Sequence, residues 1–133
     1  MSRLQSGQAS VPREVLDINT VYSALRHPRR RYLCYTLYEK TEWPLTDIAR
    51  KVADGENDVP PATVTDDQLR DVYVSLYHAH IPKLVDLEVI TFDRNNETIS
   101  AADHAEQVLA ALEGIEGSFD SNQEEHARNQ DNE

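Results

Sequence analysis

The chain has 133 residues and a formal net charge of −11, enough for one domain with a modest core and too little for two. Apolar residues make up 39% and charged residues 28%, an ordinary soluble balance; no apolar run approaches the ~18 residues of a membrane span, and MSRLQSGQASVPRE lacks the apolar stretch of a signal peptide. The single cysteine, Cys34, excludes an internal disulfide, and the expected location is the cytoplasm.

Residues 1–13 are polar and aperiodic and read as a disordered arm. Residues 14–116 read as the domain. Its first element, DINTVYSALR, is a short amphipathic helix capped by Asp17, with Ile18, Val21, Tyr22 and Leu25 expected inward. His27-Pro28 interrupts it. Pro28 then suits the first turn of a second helix, PRRRYLCYTLYEK, whose inner stripe is Leu33, Cys34, Leu37 and Tyr38. Trp43-Pro44-Leu45 reads as a turn. A third helix follows from about Thr46 to Ala53, with Thr46 as cap, Leu45, Ile48, Ala49 and Val52 inward, and Gly55 as its stop.

DGENDVPPATV is a polar loop with a polyproline-like section at Pro60-Pro61. Thr65-Asp66-Asp67-Gln68 is a capping box. It opens a long helix, Asp66 to Leu87, that Pro82 should kink or divide. VITFD and Glu97–Ser100 flank Arg94-Asn95-Asn96 as a β-hairpin, with Ile90, Phe92 and Ile99 on the inner face. Ser100-Ala101-Ala102-Asp103 resembles a second capping box. The helix after it carries an apolar stripe of Ala105, Val108, Leu109, Leu112 and Ile115. Residues 117–133 read as a disordered acidic tail.

The order of elements resembles the winged helix-turn-helix regulators of bacteria and archaea. ALRHPRRRYLCYTL is similar to the opening of ArsR-like repressors, LTDIARKV to their first helix-turn-helix helix, and HIPKLVDLEVI to the end of the recognition helix. Together with YVSLYHAHIPKL and VITFDRNNETI, these stretches resemble a winged-helix domain family abundant in halophilic archaea, taken to be transcriptional regulators. The resemblance covers about residues 16 to 112. It implies a mainly α fold with a β-hairpin wing, binding to double-stranded DNA, and pairing of terminal helices in a homodimer. Two departures stand out. The loop between the paired helices is about eleven residues where ~3–4 are usual. Glu88 occupies the place before the wing where related proteins carry glycine.

The expected DNA contacts are phosphate contacts from Arg29, Arg30 and Arg31 and from the hairpin tip, Arg94 and Asn95. On the long helix, Gln68, Ser75 and His78 form a polar arc facing base edges, with Arg70 and Lys83 at its margins. Three arginines in a first helical turn oppose the helix dipole, which points to an anionic partner or to nearby carboxylates. Val108, Leu109, Leu112 and Ile115 are the expected dimer contacts. His78 and His80, two positions apart on a helix, point away from each other and cannot share a metal ion. His80 reads as a core histidine bonded to a carbonyl. No cofactor and no catalytic constellation are expected, and Cys34 on a buried stripe reads as inert.

Charge sets the alternative. Residues 1–100 hold 12 basic and 15 acidic side chains, net −3, and residues 101–133 hold 1 and 9, net −8. An acidic chain with aspartates beside the polar arc also fits a winged-helix protein–protein interaction module that does not bind DNA.

Overall fold

In a computed structural model, which describes residues 15–57 and 63–115, helix α1 spans Ile18–Leu25, and Asp17 caps it by accepting from the Thr20 N–H at 2.8 Å. Val21, Ala24 and Leu25 are buried, whereas Ile18 and Tyr22, expected inward, are 63% and 49% exposed. Eight residues offer one narrow line to the core. That line is Val21, Ala24 and Leu25, and Ile18 and Tyr22 lie off it.

Helix α2 spans Pro28–Glu39, with His27 Nδ1 accepting from the Arg29 N–H. Leu33, Cys34, Thr36 and Leu37 are buried. Tyr38, expected inward, is exposed and donates its hydroxyl to the Leu109 carbonyl at 2.6 Å. The expected turn at Trp43 is instead a short strand, β1, Glu42–Pro44. The Trp43 indole N–H donates to the Lys40 carbonyl, just past the end of α2, and shares the Thr36 carbonyl with the Lys40 N–H. Pro44 is tolerated because β1 is an edge strand.

Helix α3, Leu45–Asn57, runs through Gly55 instead of stopping there. Gly55 lies against Tyr32: a Cβ on it would be 2.9 Å from Cε1 of that ring, which would have to move aside. The extra turn shortens the connection to the next helix to residues 58–65. Pro60-Pro61, the N-terminal arm and the acidic tail lie outside the described residues.

Helix α4, Asp66–Ser75, forms the expected capping box: the Thr65 hydroxyl accepts from the Gln68 N–H, and the Gln68 side chain accepts from the Thr65 N–H. The chain then makes a π-helical turn, Leu76–His80, and continues as α5, Ile81–Asp86. Pro82 offers no N–H to an upstream carbonyl, and the wider turn falls on the residues before it. The turn also re-phases the helix. The Ile81 N–H bonds the Leu76 carbonyl, five residues back, so Leu76 and Ile81 share one line and both are fully buried. In a regular helix these two positions would point about 140° apart.

Glu88 follows α5 with φ of 62°. Its N–H donates to the Val85 carbonyl and the Val89 N–H to the Leu84 carbonyl, both at 2.9 Å, the two bonds of a Schellman motif. The position therefore adopts the left-handed conformation that glycine favours, and glutamate occupies it here.

Strands β2, Ile90–Asp93, and β3, Thr98–Ala101, pair antiparallel with Phe92 opposite Ile99. Strand β1 pairs with β3, Trp43 opposite Ile99, giving an antiparallel sheet of order β1-β3-β2. The Leu45 N–H donates to the Glu97 carbonyl at 2.8 Å, which ties the hairpin to the start of α3. The last helix, α6, covers residues 105–115. Ser100 belongs to β3 and does not cap α6, because its backbone is committed to the sheet. His104 donates from Nδ1 to the Leu87 carbonyl and joins α6 to the end of α5.

The molecule is mainly helical with one small antiparallel sheet, an arrangement compatible with a winged helix. Leu33, Leu45, Ile48, Leu76, Ile81, Leu84, Ile90, Ile99 and Leu112 are fully buried at its centre. Among the described residues no helix is long and apolar enough to cross a membrane.

Candidate nucleic-acid interface

The three arginines of α2 are drawn inward. Arg29 makes a two-pronged pair with Glu56 of α3, Nε to Oε2 at 2.9 Å and Nη2 to Oε1 at 2.8 Å, and reaches Asp71 of α4 at 3.1 Å. These bonds hold the guanidinium pKa above its ordinary value, Glu56 contributing most. Arg30 donates to the Ser23 and Ala24 carbonyls and contacts His80 Nδ1 at 3.2 Å. Arg31 donates to the Leu25 and Arg26 carbonyls. The dipole penalty of three cations in the first turn of α2 is thus offset by the negative end of α1 and by two carboxylates.

His80 is buried. Burial comes first, and the neighbouring His27, Arg30 and Arg29 next, in pushing its pKa down to about 4. Its Nδ1 accepts from Arg30, which makes it a neutral ring carrying the proton on Nε2. Its polar partner is a guanidinium and not the carbonyl expected from sequence. The His27 ring lies 4.2 Å away, centroid to centroid, and burial lowers its pKa as well.

The solvent face of α4 differs from the polar arc read from sequence. Asp67, Arg70, Asp71 and Val74 are exposed, and His78 of the π turn continues the line. The helical wheel of Asp66 to Leu87 puts Leu69, Tyr73, Leu76, Tyr77, His80, Leu84 and Leu87 on one apolar arc, widened by Val74, Ile81 and Val85; Val72, outside that arc, is buried, while Val74, within it, is 46% exposed. The helix is rotated because the tyrosines do not form the floor. Tyr73 and Tyr77 lie half-buried at the flank, stacked on each other, with Tyr77 edge-on to Phe92 of the hairpin at 5.7 Å. Tyr73 donates its hydroxyl to the Glu97 carboxylate, a bond that raises the phenol pKa to about 12. Ser75 is half-buried and off the exposed line, and Gln68 spends its side chain on the cap and on Asn57 Oδ1 at 3.2 Å. Of the expected arc, Gln68, Arg70 and His78 are exposed, and the Gln68 side chain is already engaged by the cap and Asn57.

At the hairpin tip, Asp93 accepts from the Asn95 and Asn96 N–H groups, which shapes the turn and leaves the Arg94 and Asn95 side chains exposed. Lys83 is half-buried on α5. Sequence reasoning missed Arg50, which is exposed on α3 and lines a shallow cleft with Thr46 and with Leu69 of α4. Its position in LTDIARKV, two residues after the inward Ile48 and two before Val52, is the signal that could have found it. Arg50, Arg70, Lys83 and Arg94 make no ion pair among the described residues.

The expected dimer contacts divide. Val108 and Leu112 are fully buried in the protein's own core and cannot face a partner; Leu109 and Ile115 remain partly accessible. The exposed apolar residues are instead Ile18 and Tyr22 of α1 and Val15 just before it, at 63%, 49% and 66%. Leu16 is bonded in both directions to the Gln107 side chain, which sets these residues beside α6. Among the described residues no three His, Cys, Asp or Glu side chains gather as metal ligands. Cys34 is buried, and burial raises its thiol pKa to about 12.

Residues 22–100, more than half of the chain, match the family described as a domain of unknown function, DUF7344, and the chain belongs to that family. No curated protein and no solved structure matches.

Proposed function

We propose that this member of the DUF7344 family is a winged helix-turn-helix protein that binds duplex DNA as a homodimer and acts as a transcriptional regulator, with α3 and α4 as the helix pair and the β2–β3 hairpin as the wing. One observation carries the reading. The arginines of α2 are consumed internally, while Arg50, Arg70, Lys83 and Arg94, free of ion pairs among the described residues, lie on α3, α4, α5 and the hairpin. These elements would meet a groove and its flanking phosphates, and phosphate contact supplies most of the affinity in such complexes. The phosphate contacts are therefore Arg50, Arg70 and Arg94, with Arg29–Arg31 as internal ties.

Titrating the protein against random-sequence duplex DNA across a salt series tests this reading, with the fold verified in each buffer by circular dichroism. Binding should weaken steeply with salt, and Arg70→Ala and Arg94→Ala should each reduce the slope by about 1. No binding at the lowest salt that keeps the fold intact overturns it. That outcome selects a protein–protein interaction module, which the exposed Val74 and Val85 and the uncompensated Asp67 favour. For the dimer, Ile18 and Tyr22 of α1 with Val15 before it supply an isologous face, flanked by Leu109 and Ile115. Sedimentation should give a dimer at micromolar concentration and a monomer for Ile18→Asp; a monomeric wild type refutes the pairing.

A further inference from the structure

We infer that the cleft between α5 and the hairpin binds a free α-amino acid with an aromatic side chain, its carboxylate on Arg94 and its ammonium on Asp86. The Schellman turn at Glu88 brings the hairpin back along the helix, so that Phe92 of β2 meets Tyr77 of the π turn. The cleft left beside them measures about 270 Å³, and Ile81, Pro82, Asp86 and Arg94 line it with the two rings. That is just under the ~300–1,000 Å³ of pockets that take drug-sized ligands, so a smaller molecule fits. Ile81 is fully buried and forms the floor. Tyr77 and Phe92 stand edge-on at 5.7 Å, an arrangement that offers a third ring both an edge and a face.

The mouth of the cleft carries one charge of each sign. Asp86 and Arg94 are both exposed, and neither makes an ion pair with the other or with any other described residue. Opposite charges that share a mouth without reaching each other fit a ligand that carries both. An α-amino acid holds its ammonium and carboxylate on one carbon and sends its side chain on into the apolar walls. A simple carboxylate leaves Asp86 unanswered, and a simple amine leaves Arg94. Asp86 is also the last residue of α5, where the helix dipole favours a cation, and a guanidinium takes a carboxylate through two parallel hydrogen bonds. Arg94 is a proposed phosphate contact as well, so the amino acid competes with duplex DNA for it; this consequence rests on the DNA-binding reading above.

Calorimetric titration of the full chain with L-phenylalanine tests the site without DNA. Saturable binding with a Kd of about 1 mM or tighter is expected. 3-Phenylpropionate, which lacks the ammonium, and phenethylamine, which lacks the carboxylate, should each bind about fivefold more weakly. Two surface variants then exchange these losses. Asp86→Asn should weaken phenylalanine by about fivefold and leave 3-phenylpropionate unchanged; Arg94→Gln should weaken phenylalanine likewise and leave phenethylamine unchanged. No saturable heat with phenylalanine overturns the inference, as do variants that bind all three compounds like the wild type. Either failure leaves the DNA reading standing. In the DNA titration, saturating phenylalanine should reduce the salt slope by about 1, as Arg94→Ala does; an unchanged slope overturns the competition. A protein that binds phenylalanine and no duplex overturns the DNA reading and keeps the site.

Discussion

Arg29→Gln separates an internal tie from a phosphate contact. Arg29 is 18% exposed and its partner Glu56 is 24% exposed, so their double hydrogen bond is shielded over most of its surface. A net hydrogen bond to a charged group contributes about 1.5–3 kcal/mol when buried, and exposed pairs contribute about 0.2–1 kcal/mol. The Glu56 pair lies between these limits, near 2 kcal/mol. The third bond, to Asp71, whose side chain is 72% exposed, adds at most about 0.5 kcal/mol. Removing the guanidinium should therefore lower stability by about 2 kcal/mol, or roughly 8–16 °C in Tm for a domain of about 100 residues. Urea and thermal unfolding of Arg29→Gln, Glu56→Gln and the double variant form a cycle, whose coupling should be about 1–2 kcal/mol. The salt slope of DNA binding should be unchanged in Arg29→Gln. A variant with wild-type Tm and a salt slope smaller by about 1 refutes the argument and returns Arg29 to the DNA surface.

His80 has its pKa lowered to about 4 and faces Arg30, Arg29, His27 and Glu56, so between about pH 6.5 and pH 4 the unfolded chain binds the proton that the folded ring refuses. Stability should fall as pH drops through that window, with His27 adding in the same direction; His80→Gln should flatten the urea-midpoint slope, and an unchanged slope sinks the assignment. Glu88→Gly should stabilise by up to about 1 kcal/mol, because φ of 62° is strained for glutamate and free for glycine, whereas Glu88→Val should destabilise; the opposite order in thermal unfolding contradicts the Schellman geometry. Cys34, with its thiol raised to about 12 and buried, should label with a maleimide only as fast as the protein opens, and rapid labelling of folded protein would refute that burial.

The elements readable from sequence were those with a local signal. Asp17, Pro28 and the Thr65–Gln68 box announce helix starts because each satisfies an orphan N–H or removes it, and the hairpin is announced by Arg94-Asn95-Asn96 between β-rich runs. What escaped depends on neighbours. β1 is three residues long and exists because β3 offers it a ladder. Gly55 looks like a helix stop until Tyr32 is seen above it. Ile18 and Tyr22 look like core, but the short α1 buries Val21, Ala24 and Leu25 instead. The rotation of α4, which moved Val74 out and Val72 in, follows from the π turn and from the tyrosines packing on the hairpin, and no periodicity of about 100° per residue contains either. The three arginines were visible, but their carbonyl and carboxylate partners come from α1, α3 and α4, so their role was not.

The two halves of the proposed interface are fixed relative to each other by contacts that carry no charge to DNA. Tyr73 bonds Glu97 in the turn of the hairpin, and Tyr77 packs on Phe92 within its first strand. The Glu97 carbonyl takes the Leu45 N–H at the start of α3. One hairpin residue, itself at φ of 51°, therefore joins α3, α4 and the wing. Strain at such a position persists only where the surroundings over-determine it; here a phenol and a backbone amide both hold Glu97. A preformed arrangement lowers the ordering cost of binding, which matters for a chain of net charge −11 that has few free cations to offer. With Arg50 on α3, Arg70 on α4 and Arg94 on the hairpin held in one frame, three side chains can act together where each alone would be too weak against the long-range repulsion.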